Sequence, residues 1–157
     1  MAALWKPDFI ELCRLLNEKG VNYLVIGGWA GILHGLPRTT QDIDLFIPSD
    51  RANVERLLAA LSTVGFGTAR EIQPDEILTR HMFLFADQIR VDVFTRPWGL
   101  RRFEEAAARK VILEVGGIRI PVASLDDLAA SKDTDRPQDQ DDRRALLELK
   151  SRRPGSS

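Results

Sequence analysis

A glycine pair that ends a buried strand and begins a helix constrains this chain more than any other feature of its sequence. Val21 to Ile26 is a nearly all-apolar run, which predicts a short central strand. Gly27-Gly28 breaks this run, and a short helix is predicted from Trp29 to Leu33, ending near Gly35. Backbone N–H groups at such a strand-to-helix turn point at anionic oxygens. The feature therefore predicts a turn that binds phosphate.

Three aspartates on strands supply the chemistry that such a turn needs. Residues 42–47 alternate, which places Asp42 and Asp44 on one face and aliphatic side chains on the other. Asp92 holds an equivalent position in the later apolar run from Ile89 to Phe94. Carboxylates gathered on one sheet face are unfavourable unless cations neutralise them. The pattern predicts a metal-dependent phosphoryl- or nucleotidyl-transfer site, with a solvated polar strand face as the alternative.

The remaining periodicities predict helices and hairpins around these strands. A first helix begins at Pro7, has a buried stripe that includes Cys13 and ends at Gly20. Another helix, after residues 42–47, is N-capped by Ser49. Residues 66–80 are expected to be irregular, and residues 82–85 and 89–95 to form a hairpin with a two-residue loop. On the acid face this hairpin would pair Phe83 with Asp92, and His81 with Phe94.

The C-terminal third has clearer local signals. Gly116-Gly117 suits a two-residue turn between strands 111–115 and 118–122, with Glu114 opposite Arg119. Ser124 and Asp127 have the spacing of a capping box at a helix start. A last helix carries Leu146, Leu147 and Leu149, and the tail 151–157 is expected to be disordered.

Length and composition limit the function classes. With 157 residues the chain is expected to form a single domain over residues 1–150. A net charge of −1 exerts no general attraction for nucleic acid. No apolar run of about 18 residues and no signal peptide occur, which predicts a cytoplasmic protein with no membrane partner. Cys13 is the only cysteine and is interpreted as a core residue.

Several other polar and aromatic residues are open to two interpretations. Arg38 would bind a phosphate, or would pair with Asp42 or Asp44 in the absence of metal. His34 and His81 are interpreted as packed or surface histidines. Trp29 and Trp98 are expected in the core or at its rim, with base stacking as the alternative.

Residues 23–47 (YLVIGGWAGILHGLPRTTQDIDLFI) resemble the signature of the DNA polymerase β-like nucleotidyltransferase superfamily. His34-Gly35 and Arg38-Thr39-Thr40 are similar to the small bacterial branch related to AbiEii-type abortive-infection toxins. That branch has a C-terminal pattern of Lys, Arg, Asp and Asp, which is matched here by Lys132, Arg136, Asp139 and Asp142.

The resemblance implies an α/β protein of the α+β type, with a mixed, largely antiparallel sheet flanked by helices. It implies two Mg²⁺ ions, with Mn²⁺ as the alternative, on Asp42, Asp44 and Asp92. It also implies an NTP donor whose phosphates contact Gly27, Gly28 and Lys132; Arg38 is the further candidate for nucleotide binding that the residues themselves offer. Asp139 matches a further family carboxylate without an assigned role. The extra acids Asp133 and Asp135 depart from the family pattern and are expected to weaken phosphate binding at Lys132.

The sequence therefore predicts an ATP- or other NTP-dependent nucleotidyltransferase that releases pyrophosphate. An RNA end, a protein side chain and a small-molecule hydroxyl stay open as acceptors. The resemblance also raises a toxin–antitoxin role, with an antitoxin or a second copy of the chain as partner. The alternative is a catalytically silent nucleotide-binding or toxin–antitoxin partner protein.

Overall fold

Six strands and the helices between them make up the part of the chain that the computed structural model describes, residues 7–63, 67–87 and 90–152. The strands are β1 (Leu24–Ile26), β2 (Asp42–Phe46), β3 (Met82–Ala86), β4 (Arg90–Phe94), β5 (Val111–Val115) and β6 (Ile118–Val122). The helices are α1 (Pro7–Glu18), α2 (Gly27–His34), α3 (Arg51–Thr63), α4 (Pro74–Leu78), α5 (Phe103–Ala108), α6 (Leu125–Ser131) and α7 (Pro137–Ser151), with a 3-10 helix at Gly67–Glu71.

The strands form one sheet in the order β3-β4-β2-β1-β6-β5. Three neighbouring pairs are antiparallel (β1 with β2, β3 with β4, β5 with β6), and two are parallel (β2 with β4, β1 with β6). The predicted fold class, a mixed and mostly antiparallel sheet flanked by helices, is confirmed. Both aspartate-bearing strands lie inside the sheet, because β3 covers the outer edge of β4.

A continuous apolar core holds the sheet and helices together, and the periodic patterns located much of it. The predicted stripe of α1 is buried, and Trp29 of α2 stacks on Phe9 with a ring separation of 4.3 Å. On β2, Ile43 and Leu45 are buried on the face opposite the aspartates. The core therefore fixes which face of β2 carries the acids.

Local turn chemistry confirms other predictions. Gly116 and Gly117 both have positive φ, 59° and 79°, as a primed two-residue turn requires, and Glu114 pairs with Arg119 in register. The Ser124 hydroxyl accepts the Asp127 backbone N–H at 3.1 Å and caps α6. The reciprocal half of that capping box is absent, because the Asp127 carboxylate binds Arg109 instead.

Several predicted boundaries are wrong. The side chain that caps α3 belongs to Asp50 rather than Ser49, since Asp50 Oδ2 accepts the Asn53 N–H at 2.9 Å. The described residues of the 66–80 segment are largely helical, with the 3-10 helix and α4, because Pro74 and a Gln73–Glu76 capping box start a helical turn.

The β3–β4 register differs from the prediction by one residue. Leu84, not Phe83, lies opposite Asp92, and Met82, not His81, lies opposite Phe94. The strands end at Ala86 and Arg90, so three residues separate them instead of two. A one-residue change of register moves each side chain of β3 to the other face of the sheet.

The last helix, α7, extends further towards the C-terminus than predicted. Ser151 is the last residue of α7, and Arg152 is its C-cap, so the first two residues of the expected tail are ordered. Residues 153–157, like Ile89, lie outside the described residues. No helix within the described ranges is both long and apolar enough to cross a membrane.

Candidate active site

Parallel pairing of β2 with β4 brings the predicted carboxylates together. Asp44 lies directly beside Asp92 in register, and Asp42 lies two residues along the same strand, beside Arg90. Asp92 is buried, whereas Asp42 and Asp44 are half-buried. Side chains that match in register on parallel strands share a face, so all three acids project from one side of the sheet. Their proposed roles as metal ligands stay predictions.

The start of α2 closes against this carboxylate cluster. Gly27 and Gly28 are the first two residues of α2 rather than a separate turn before it. Gly27 has a φ of +68°, and a Cβ atom there would overlap the carboxylate of Asp44. A Cβ on Gly28 would lie 3.0 Å from Cβ of Thr40. The Asp44 side chain leaves no room for a Cβ at Gly27, and the Thr40 side chain leaves little room for one at Gly28, so these close approaches account for the glycine pair.

Burial and the neighbouring acids change the acidity of Asp44. Burial, and then the nearby charges of Asp92 and Asp42, raise the pKa of Asp44 to about 7. Arg90 and Lys132 act in the opposite direction but are not enough to offset this effect. The cluster therefore carries negative charge that the protein alone does not fully neutralise.

Arg90 is the cation that lies nearest the acids, and sequence reasoning missed it. Its Nε donates to Asp92 Oδ1 at 2.9 Å and its Nη2 donates to Asp92 Oδ2 at 3.1 Å. Both oxygens of the buried carboxylate are thus taken by one guanidinium. The signal was present in the sequence, because Arg90 precedes Asp92 by two residues and must share its face of β4.

The chemistry of the donor set fits a divalent cation. Three carboxylates on one face offer the hard oxygen atoms that Mg²⁺ prefers. Burial and the neighbouring acids raise the pKa of Asp44, and a bound cation would oppose that effect. In this conformation no group of three or more His, Cys, Asp or Glu side chains, among the residues described, is close enough to hold a metal ion. Arg90 donates to both oxygens of Asp92, so a metal ion that used Asp92 as a ligand would have to share these oxygens with Arg90 or displace it.

A second charged cluster lies beside the glycine pair and contains the predicted phosphate ligands. Arg38 and Lys132 both contact Asp142 of α7, and a small cavity lined by all three residues also touches Gly27 and Gly28. Arg38 does not pair with Asp42 or Asp44, as one interpretation of the sequence held; its partner is Asp142. Tertiary packing therefore joins the two predicted motifs at one place.

Asp139 belongs to the same cluster but is held differently. Its Oδ2 accepts the Thr134 hydroxyl at 2.6 Å and Arg136 Nε at 2.9 Å, and its Oδ1 lies 3.5 Å from Lys132 Nζ. These contacts, led by the Thr134 hydrogen bond, lower the pKa of Asp139. Asp139 therefore organises the loop between α6 and α7.

The other predicted polar and aromatic residues divide between core and surface. His34 is buried with its Nε2 2.8 Å from the Ala123 carbonyl oxygen, so it is a packed histidine, whereas His81 is exposed. Burial raises the pKa of Cys13 to about 12, which excludes a reactive thiolate. Trp98 is 69% exposed, and its Nε1 donates to the Asp133 carbonyl oxygen at 3.3 Å.

Comparison with known proteins assigns this sequence to a family. The sequence matches the model of the aminoglycoside-2''-adenylyltransferase family over residues 8–146. The chain belongs to this family. It is therefore a nucleotidyltransferase, which confirms the superfamily and the enzyme class predicted from the sequence. The family assignment favours an enzyme over a catalytically silent protein, and the AbiEii-type branch stays a prediction. A search of curated proteins found no match.

Solved structures share the fold at low sequence identity. An antigenic nucleotidyltransferase-like protein from Paracoccidioides brasiliensis has a TM-score of 0.60 at 17% identity, covering 96% of this chain and 79% of that chain. Lincomycin-bound lincosamide antibiotic adenylyltransferase LnuA has a TM-score of 0.58 at 14% identity, covering 93% and 98%. Antibiotic-resistance factor ANT(2'')-Ia has a TM-score of 0.57 at 13% identity, covering 90% and 81%. At these identities the likeness establishes a common fold.

The contact between Gly27 and Asp44 predicts a strong effect of one methyl group. Gly27→Ala should disrupt the acid cluster, because its Cβ would displace the Asp44 carboxylate. Gly117→Ala is the matched control, since Gly117 has a similar positive φ but nothing within 4 Å of its Cβ position. Thermal unfolding should show a loss of about 1–2 kcal/mol from the strained φ alone in the control, and a larger loss in Gly27→Ala. Equal losses would contradict the steric argument.

The raised pKa of Asp44 predicts that metal-free stability falls as pH rises from about 4 to about 7. The folded protein keeps a proton there that the unfolded chain releases. Asp44→Asn removes this penalty, so the variant should be more stable than wild type at pH 8 by about 1–4 kcal/mol. The difference should shrink toward pH 5. Denaturant unfolding at both pH values in EDTA measures it, and a variant less stable than wild type at pH 8 would refute the assignment.

Proposed function

We propose that this protein transfers a nucleoside monophosphate from an NTP, with ATP as the first choice, to a hydroxyl group of a small amine-bearing alcohol, releasing pyrophosphate. The observation that carries the proposal is the in-register pair of Asp44 and Asp92, with Asp42, directly against the start of α2. The family name supports adenylyl transfer and an aminoglycoside-like acceptor.

The donor triphosphate is proposed to bind at the start of α2. The N-cap residue of this helix, Ile26, makes no side-chain hydrogen bond to it, and its first turn contains no acidic residue. Free backbone N–H groups and the helix dipole therefore favour an anion there. Arg38 and Lys132 lie beside the glycine pair and would contact the outer phosphates.

Asp42, Asp44 and Asp92 are the residues that would hold the two Mg²⁺ ions, with Mn²⁺ as the alternative. Bound divalent ions would neutralise charge on the transferring phosphoryl group and on the pyrophosphate leaving group. Asp92 is proposed to accept the proton of the attacking hydroxyl once Arg90 releases its oxygens. The acceptor oxygen then forms a bond to the α-phosphorus, and the bond from that phosphorus to the pyrophosphate breaks.

The acceptor side is proposed to include the exposed Trp98 and the two acids that depart from the family pattern. Asp133 and Asp135 are exposed and form no ion pair with any residue that the structure describes. Trp98 is hydrogen-bonded to Asp133, next to Lys132 in the chain. An aromatic face with unpaired carboxylates suits a sugar ring that carries amino groups. These acids would serve the acceptor rather than weaken donor binding.

An RNA end or a protein side chain is the alternative acceptor, in a toxin paired with an antitoxin. The cluster that joins Lys132, Arg136, Asp139 and Asp142 is the observation in favour of this alternative, because these four residues carry the toxin-like resemblance. Incubation with labelled NTP and cell lysate separates the possibilities by the molecule that becomes labelled. A net charge of −1 gives no support to tight RNA binding.

Transfer activity tests the carboxylate cluster. Asp44→Asn and Asp92→Asn should each reduce Mg²⁺-dependent label transfer from ATP to an aminoglycoside by at least about 100-fold, because each loses a ligand or the base. Asp75→Asn is the control, because Asp75 is an exposed acid of α4 that pairs with Arg51 and belongs to neither charged cluster; this variant should retain transfer. Full activity in Asp44→Asn would rule out the proposed function.

Acceptor affinity tests the role of the exposed acids. The double variant Asp133→Asn/Asp135→Asn should raise the KM for an aminoglycoside about tenfold, because it removes charges that pair with its amino groups. The KM for ATP should change less than twofold. A rise confined to the KM for ATP would show that these acids act on the donor instead.

A further inference from the structure

One carboxylate oxygen receives both of the cations predicted to bind donor phosphates. Arg38 Nη1 lies 2.8 Å from Asp142 Oδ2, and Lys132 Nζ lies 3.2 Å from the same oxygen. Arg38 comes from the loop between α2 and β2, Lys132 caps the end of α6, and Asp142 is on α7. Three separate segments thus meet at one anionic atom, as they would around a phosphate oxygen.

Asp142 and Asp139 differ in the residues that bind their carboxylates. Asp139 is tied to its own loop by Thr134 and Arg136, and its contact with Lys132 is the longer one at 3.5 Å. Within the described ranges, the side-chain partners of Asp142 are Arg38 and Lys132 alone. Asp139 therefore has a structural role that is independent of the two cations, whereas every side-chain contact of Asp142 is made to them.

The ion pairs also close the space beside the glycine pair. The cavity between Gly27, Gly28, Arg38, Lys132 and Asp142 has a volume of about 10 Å³. That volume accommodates about one water molecule. A phosphate group does not fit there unless the side chains around it move apart. Asp142 is 17% exposed, so its carboxylate can swing toward solvent without crossing the core.

We propose that Asp142 is an internal stand-in for a donor phosphate: its carboxylate occupies the place between Arg38 and Lys132 that a phosphate takes when the nucleotide binds. The proposal rests on the proposed function, because it requires that these cations contact the donor. Binding exchanges one anion for another, so the two cations are never left facing each other without a counter-charge.

This exchange of anions affects both donor binding and the release of pyrophosphate. A triphosphate or a pyrophosphate carries several charges and can displace one carboxylate, whereas singly charged anions compete poorly. As pyrophosphate leaves, Asp142 returns to the cations and replaces it. Asp142 thus weakens donor binding and speeds product release, and it does so by competing with the phosphates for Arg38 and Lys132.

Binding of ATP and of inorganic pyrophosphate, each with Mg²⁺ and without acceptor, tests the proposal by calorimetry on the full chain. Asp142→Asn should bind both about five- to twentyfold more tightly than wild type, because the competing charge is gone. Asp141→Asn is the matched control: it removes the same charge one residue earlier, where the acid pairs with Arg144 at the exposed surface, and should change affinity less than twofold. In turnover, Asp142→Asn should lower the KM for ATP and strengthen inhibition by pyrophosphate.

Unchanged or weaker binding of ATP and pyrophosphate by Asp142→Asn would overturn the proposal, since the carboxylate would then orient the cations instead of competing for them. Asp142→Ser provides the same test if the Asn variant does not fold. Arg38→Gln/Lys132→Gln separates this failure from failure of the proposed donor site. If that double variant binds ATP as wild type does, the donor site itself is wrong; if it loses ATP while Asp142→Asn shows no gain, only the stand-in role fails.

Discussion

Parallel pairing of β2 with β4 is the constraint on which the rest of the site depends. The pairing sets Asp44 beside Asp92 on an internal strand, where burial limits the screening of their charges by solvent. Two features of the fold reduce the resulting repulsion. Arg90 forms an ion pair with Asp92, and the positive end of the α2 dipole lies against the acids. The pKa of Asp44 is nonetheless raised, so these two features do not fully offset its burial and the neighbouring acids. A bound cation, as the proposed function requires, would supply the remaining positive charge.

In the neighbouring cluster the charges are reversed: two cations there are balanced by one carboxylate. There the cations Arg38 and Lys132 stand beside the helix start, and Asp142 supplies the negative charge. In each cluster an internal ion pair occupies atoms that the proposed reaction needs. Internal pairing keeps the charged groups satisfied in the free protein, and ligand binding replaces one partner by another of the same sign.

Family membership and local chemistry bear on different halves of the reaction. The family assignment gives the enzyme class, a nucleotidyltransferase. The proposed donor side rests on Gly27, Gly28, Asp42 and Asp44, which carry the resemblance to the superfamily signature, together with Asp92. The proposed acceptor side rests on local features instead, namely the exposed acids Asp133 and Asp135 and the exposed Trp98. Asp133 and Asp135, which depart from the pattern of the AbiEii-type branch, are thus the residues on which the proposed acceptor site chiefly depends.

Local patterns alone determined a large part of this protein. Alternation along residues 42–47 placed Asp42 and Asp44 on one face, the helical stripe of α1 marked its buried side, and Gly116-Gly117 set the β5–β6 register. Each of these depends on neighbours within a few residues, so the sequence carries the whole signal. The β3–β4 register was missed because it depends on the length of a loop that has no distinctive turn residues.

Only the tertiary structure decided which charges meet. Arg38 and Asp142 are 104 residues apart in the chain, and no periodicity relates them. Their contact exists because α2 and α7 both pack against α6, which brings the loop after α2 to the last helix. Likewise the order β4-β2-β1, which sets Asp92 beside Asp44, follows from packing of the whole sheet. The sequence by itself determined which residues carry the chemistry, and long-range packing decided their partners.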